Sequence, residues 1–373
     1  MQALRGLTWG HRRAIDPLIA AARWFEAQTP GCRIEWDVQP LGGFEHGLDG
    51  ALADRFDMIV FDHPFCGDIV RDGLFQPVPF DPAAADFVGP SLESYRYAGA
   101  LWGMPIDGAT QAAVCRPDLL ARHGTVPATW NEVVQLGARV RPQGQWLGLA
   151  LANPHGFLVL AALCANLGRP QATEQGATMF DPATLRTAFD AMQAIAPFLH
   201  PDCLRWNAID LHEAMGARDD IVYCPLAYAY LTHAEADQRA PLRFADFAGP
   251  GPVAQAGTVL GGTGLGITRS CRAPDLAWAF AGTCGSAEVQ ALFAAHHGQP
   301  ARIEPWQDPA VDARFGHAFS ATRRTVDAAW IRPRFAGATR LQHTLGAAFV
   351  ALWQQGRDAD IVDLERAAQS WTP

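Results

Sequence analysis

The chain has 373 residues, too many for one ordinary core and suited to two domains, and its 49% hydrophobic and 18% charged residues exclude a disordered chain. A net charge of −9, with the arginines scattered, offers no basic face for a phosphate backbone, so nucleic acid is not an expected partner. All 29 basic residues are arginine, which excludes lysine Schiff-base chemistry and a P-loop lysine.

In chain order, Met1 to Gly6 carries no apolar core of a signal peptide, and a strand is expected at once from Leu4, Leu7 and Trp9. Ile15, Leu18, Ile19, Ala22 and Phe25 recur at helical spacing. Asp16 is the expected cap, Pro17 the first helical residue, and Thr29-Pro30-Gly31 the stop. Arg33 to Val38 alternates Ile34, Trp36 and Val38 and reads as a strand. Asp57 to Phe61 is a continuous apolar run of the kind buried on both faces. The resulting β-α-β-β or β-α-β-α-β order predicts parallel sheets with helices on their faces. Thr129-Trp130-Asn131-Glu132 spells a capping box, and Asp181-Pro182 and Ser286-Ala287-Glu288 read as similar helix openings. The Gly- and Pro-rich stretch Phe247 to Gly257 is the expected crossing between lobes. No run approaches about 18 apolar residues, so stable membrane insertion is not expected.

The eight cysteines, at 32, 66, 115, 164, 203, 224, 271 and 284, show no CxxC spacing and lie singly among apolar neighbours. They are expected to be buried, reduced and not metal-bound, which suits a reducing compartment. Gly262-Thr263-Gly264-Leu265-Gly266 lacks the GxGxxG spacing and precedes a strand, so it predicts a close backbone approach to a ligand or a lobe rather than a nucleotide loop. His296-His297 ends an expected helix before Gly298. No HExxH, zinc-spaced Cys/His set or G-x-S-x-G elbow occurs, so neither a metal, nor a cofactor, nor catalysis is expected.

Several short patterns then fall in a familiar order. Trp24-Phe25-Glu26-Ala27-Gln28-Thr29-Pro30-Gly31 resembles an F-E-x-x-x-G helix end. Phe56-Asp57-Met58-Ile59-Val60-Phe61-Asp62-His63 is similar to a P-D-I-I strand, with Phe56 where proline is usual. Gly73-Leu74-Phe75-Gln76-Pro77-Val78 resembles G-L-L-x-x-L. Leu101-Trp102-Gly103-Met104-Pro105-Ile106 resembles Y-G-V-P, and Arg116-Pro117-Asp118-Leu119-Leu120 resembles Y-N-K-D-L-F. Pro127-Ala128-Thr129-Trp130-Asn131-Glu132 is similar to P-K-T-W-D-E. Leu260-Gly261-Gly262-Thr263-Gly264-Leu265-Gly266-Ile267 and Ala277-Trp278-Ala279-Phe280 resemble a G-G-x-x-x-x-I strand and an A-W-x-F helix. Together they resemble the family 1 bacterial extracellular solute-binding proteins, which include maltose-binding protein.

The resemblance implies an α/β fold of two periplasmic-binding-protein lobes (type II), each a mainly parallel sheet flanked by helices, with lobe one at 1–108 and 256–306 and lobe two at 109–255 and 307–373. It implies a monomeric receptor in the periplasm that closes a hinge on a small polar solute, a sugar, polyol or similar, and docks on an ABC permease. A chain that has kept this fold as a non-exported, cytoplasmic enzyme or sensor is the alternative, favoured by the cysteines and the N-terminus. The two tyrosines Tyr228 and Tyr230 are not adjacent, which departs from the pair of iron-binding relatives.

Expected solute contacts derive from the carboxyl ends of parallel strands, where α/β sheets bind small molecules. Trp9, His11 and Arg12 come after the first strand, and Asp62 and His63 after the Asp57 strand. Asp107 comes after the Pro105 motif, and Thr263 lies in the glycine-rich strand. Trp206, Tyr228, Trp330 and Arg334 fall in stretches where the family supplies stacking aromatics and polar clamps, all expected in lobe two. Phe44 and His155 lie in Gly- or Pro-containing loops. The plainer alternatives are a core position for Trp9, a helix cap for Asp62, a hinge turn for Asp107, and core or surface for the other aromatics.

Overall fold

The computed structural model describes residues 2–251, 257–356 and 359–371. Eleven strands occur among them: β1 Gln2–Trp9, β2 Cys32–Gln39, β3 Met58–Phe61, β4 Phe75–Gln76, β5 Arg96–Tyr97, β6 Ala100–Leu101, β7 Met104–Cys115, β8 Trp146–Leu147, β9 Ile221–Tyr228, β10 Arg243–Ala245 and β11 Leu260–Thr268. The chain divides into two compact units. Unit 1 holds Met1–Ala109, Gly261–Val311 and Arg334–Thr339; unit 2 holds Thr110–Leu260, Asp312–Pro333 and Arg340–Pro373.

In unit 1, β1 pairs in parallel with β2 and with β3, while β11 runs antiparallel to β3 and carries β4 on its end. All four residues of β3 are buried, as its unbroken apolar run requires. β2 lies on the rim of the sheet, so its alternation is only half used: Ile34 is buried, Trp36 half-buried, and Val38 is 56% exposed, contrary to its expected inward place. The first helix, α1 (Arg12–Gln28), packs Leu18, Ala21, Ala22 and Phe25 on this sheet. Its cap is His11, whose ring accepts from Arg13 N, and not Asp16. Pro17 sits inside the helix. The sequence cue misleads because the lost hydrogen bond and the crowding of the preceding turn at Pro17 are offset by burial of the α1 face against the sheet. The stop at Thr29 falls where expected.

The glycines of β11 are explained by their neighbours. A Cβ on Gly264 would stand 2.7 Å from the Tyr95 ring, and one on Gly266 would stand 2.4 Å from Phe75. Gly262 has φ +92° and lies against the Asp107 carbonyl. The run therefore serves close packing inside unit 1.

In unit 2 the sheet is built from β7, β8, β9 and β10. β9 runs antiparallel to β7 and parallel to β8, and β10 closes the other side of β7. The helix His155–Asn166 is apolar all round and almost wholly buried, the pattern of a helix inside a core. Gly156 lets it approach Phe349, and Gly346 lets the helix Ala338–Gln355 approach Asn153 and Pro154, just before the start of His155–Asn166. Three helix openings stand as expected: Thr129 Oγ1 accepts from Glu132 N, Asp181 from Thr184 N, and Ser286 Oγ from Val289 N. The reciprocal half of the box at Thr129 differs, since Glu132 accepts from Ala128 N.

The described flanks of the stretch Phe247 to Gly257, the expected crossing, both lie within unit 2, and residues 252–256 lie outside the described residues. Phe247 N donates to Thr325 Oγ1, and Gly249 and Gly251 press on Asn166, so the small residues there meet a packing demand. The chain changes units inside strand β7, after Ala109, and at the start of β11, after Leu260.

Candidate functional site

Strand register brings one set of the expected residues to a single edge of the unit 1 sheet. Because β1 and β3 are parallel, Trp9 and Phe61 end together. The residues just beyond them, His11 and Arg12 on one side and Asp62 and His63 on the other, occupy the carboxyl end of the sheet. β2 ends beside Trp9 at Gln39 and leads into α2 (Leu41–His46), whose Phe44 ring lies 4.9 Å from the Trp9 ring. β11 enters beside the same edge, since Gly264 pairs with Phe61, so Thr263 is next to Asp62 in register.

Behind this edge is a small cavity. Trp9, Arg13, Asp107, Thr263 and Gln299 are among its walls. Arg13 donates Nε to Asp107 Oδ2 at 2.8 Å, and the two side chains are 4% and 7% exposed, so Asp107 is half of a buried ion pair rather than a hinge turn. Burial pushes the Asp107 carboxyl up, the Arg13 guanidinium draws it down, and nearby Asp62 pushes it up again. Trp9 Nε1, Thr8 Oγ1 and Thr263 Oγ1 are buried with no hydrogen-bond partner.

Asp62 carries no cap hydrogen bond to the short turn after it; its Oδ1 lies 3.1 Å from His63 Nδ1. His63 is fully buried, its ring edge-on to Tyr95 at 6.3 Å. His11 is spent on the cap of α1, and Arg12 contacts the His297 ring at 2.9 Å. His297, not Gly298, is the left-handed residue that ends the helix Ala287–Ala295, with φ +68°. Arg334 belongs to unit 1 and not to the second lobe. Its Nη1 donates to the carbonyls of Glu93, Ser94 and Arg96, which commits it to tying down that turn.

A second set meets in unit 2 at the carboxyl end of β9. The Tyr228 ring lies 6.3 Å from the His155 ring, and the Arg332 guanidinium lies 5.9 Å from its centre. Arg332 is 3% exposed and donates to Gln342 Oε1 at 3.2 Å. Trp206 stacks on His200 at 4.8 Å and 20°; burial, then the adjacent Arg218, holds the His200 pKa below its ordinary value. Trp330 is tied by its backbone, donating to Thr258 O and accepting from Leu260 N. Arg13, Gln111 and Arg332 are not marked by sequence. Arg13 meets Asp107 94 residues along the chain, Gln111 and Arg332 meet Tyr228 through the register and packing of unit 2, and no local pattern singles them out.

The cysteines do not pair with one another. Seven are buried and Cys32 is half-buried. Burial pushes the thiols up, to about 11 at Cys115 and Cys271 and about 12 at Cys164 and Cys203. Among the described residues no three His, Cys, Asp or Glu side chains are grouped to hold a metal ion, and no helix is long and apolar enough to cross a membrane.

Both sheets are mixed rather than mainly parallel, and aromatic rings and paired polar groups at strand ends in each of two α/β units suit a binding protein for a small molecule. Residues 20–302 match the family described as bacterial extracellular solute-binding protein, and the chain belongs to that family. A probable amino-acid ABC transporter periplasmic-binding protein of Sinorhizobium fredii is 26% identical over 258 residues, 66% of this chain and 58% of that protein's length. The chain thus spans less than two thirds of that relative. Among solved structures, maltose-bound MalE3 of T. maritima superposes with a TM-score of 0.81 at 16% identity, covering 98% of this chain and 99% of that one. The solute-binding protein of Thermotoga lettingae bound to α-D-tagatose gives 0.82 at 13% identity, covering 99% of each. The fold is that of the two-lobed periplasmic-binding proteins.

Proposed function

We propose that the protein is the solute receptor of an ABC-type importer. On this reading it works in the periplasm, catalyses nothing, binds a small polar metabolite of the sugar or polyol kind by drawing its two units together, and then docks on a permease. Membership of the extracellular solute-binding family carries the reading. Its support in the strand-end chemistry is the supply of neutral donors, Trp9 Nε1 and Thr263 Oγ1, beside the apolar faces of Trp9 and Phe44. Such faces suit sugar C–H surfaces, and such donors suit hydroxyls. An amino acid is the second solute class, favoured by the name of the Sinorhizobium relative. Asp62 would then take the ammonium group.

Melting temperature measured with maltose, D-tagatose and a mixture of the twenty amino acids tests both classes, since a solute that binds only the native state raises it. The bound form should also show a smaller radius of gyration by X-ray scattering. Asp62→Asn is expected to weaken binding of the effective solute by about 1–3 kcal/mol with little change in melting, because a charged acceptor is lost. A melting temperature unmoved by every probe would overturn the reading for these solutes.

A further inference from the structure

A buried side-chain amide is costly unless its oxygen and nitrogen are met. Gln290 of unit 1 shows the satisfied case. Its Nε2 donates to Ile106 O and Cys284 O, and its Oε1 accepts from Ala301 N at 2.6 Å and Arg302 N at 3.1 Å. Gln111 of unit 2 is 1% exposed, yet its Oε1 is buried and accepts no hydrogen bond. Its backbone is fixed on both sides: the Gln111 carbonyl accepts from Thr258 Oγ1 at 2.7 Å, its N donates to Val259 O, and Thr258 Oγ1 is bonded to Thr110 Oγ1.

The register decides where that oxygen is useful. Gln111 on β7 stands directly opposite Tyr228, the last residue of β9. Residues opposed across antiparallel strands project from the same face of the sheet. Gln111 therefore shares the face on which Tyr228 meets His155 and Arg332. That cluster brings hydroxyl, imidazole and guanidinium groups, and the amide adds a buried acceptor on a strand whose backbone is fixed.

We propose that Gln111 is a specificity-determining residue of the receptor: its Oε1 accepts a hydrogen bond from a hydroxyl or ammonium group of the bound solute. The inference rests on the receptor reading.

Gln111→Met keeps the length of the side chain and removes the amide, whereas Gln111→Glu keeps an acceptor. Melting of the solute-free proteins is measured first. Gln111→Met should raise the melting temperature by about 2 °C, because a buried unmet acceptor is replaced by an apolar group. Calorimetric titration comes next, with whichever of maltose, D-tagatose or the amino acids binds the unaltered protein. Gln111→Met should weaken that binding about tenfold or more, and Gln111→Glu should retain more of it than Gln111→Met does. Equal affinity in Gln111→Met and the unaltered protein overturns the inference and leaves the receptor reading standing. If no probe binds the unaltered protein, the receptor reading falls for these solutes. The solute-free melting then judges Gln111 alone, and an unchanged or lowered value overturns its proposed role.

Discussion

Removing the Asp107 carboxylate would leave the Arg13 guanidinium buried without its bidentate partner. Asp107→Ala is therefore expected to destabilise the protein by about 3–5 kcal/mol, read from urea unfolding, the cost of stranding one member of a buried pair. A hinge turn, the plainer sequence reading of this residue, would cost far less. Sequence can mark Asp107 as a polar residue beside a motif. It cannot show that the partner is Arg13, because the two meet only when α1 has packed and the chain has returned along β7. Arg334 is misplaced by sequence for the same reason: its three carbonyl partners lie near residue 95, and no pattern around 334 points to them. Trp9, Asp62 and Thr263 are legible as neighbours because strand ends can be counted along a sequence.

Among the elements, the helix openings at Thr129, Asp181 and Ser286 are readable because a cap and the donor it meets are three residues apart. The start of α1 is not, since burial of its face overrides the proline signal. β11 shows the limit of composition in another way. Its glycines stand out in the sequence and their cause does not, because Phe61, Phe75 and Tyr95 come from distant elements. Gly266→Ala should bring a methyl group against Phe75 and Phe61 and destabilise the protein by about 1–3 kcal/mol, measured by thermal or urea unfolding. Gly282→Ala is the control, as the nearest atom to its added Cβ is the Phe80 ring at 3.4 Å, an ordinary contact.

For the molecule as a whole, the two-unit division is legible from length and from the order of motifs, whereas the return of 334–339 to unit 1 is not, because so short a segment carries no compositional signature. The thiols give a test at this scale. With seven of eight cysteines buried and their pKa values raised by that burial, a bulky thiol reagent at neutral pH should modify only Cys32 in the native protein and all eight after denaturation. Fewer than eight on denaturation, in protein kept from air, would mean that disulfides form.

The pairing of β3 with β11 has a consequence for how the chain comes off the ribosome. Phe61 is made early, but its partner Gly264 emerges only after the whole of the first long segment of unit 2. At about 5–20 residues per second, the N-terminal parallel strands wait tens of seconds with one side of β3 uncovered. Unit 2 is delayed in its turn, because Asp312–Pro333 and Arg340–Pro373 come last. Unit 1 lacks its last segment until Arg334–Thr339 is made and unit 2 until Arg340–Pro373 is made, so each unit must gather segments made far apart in time.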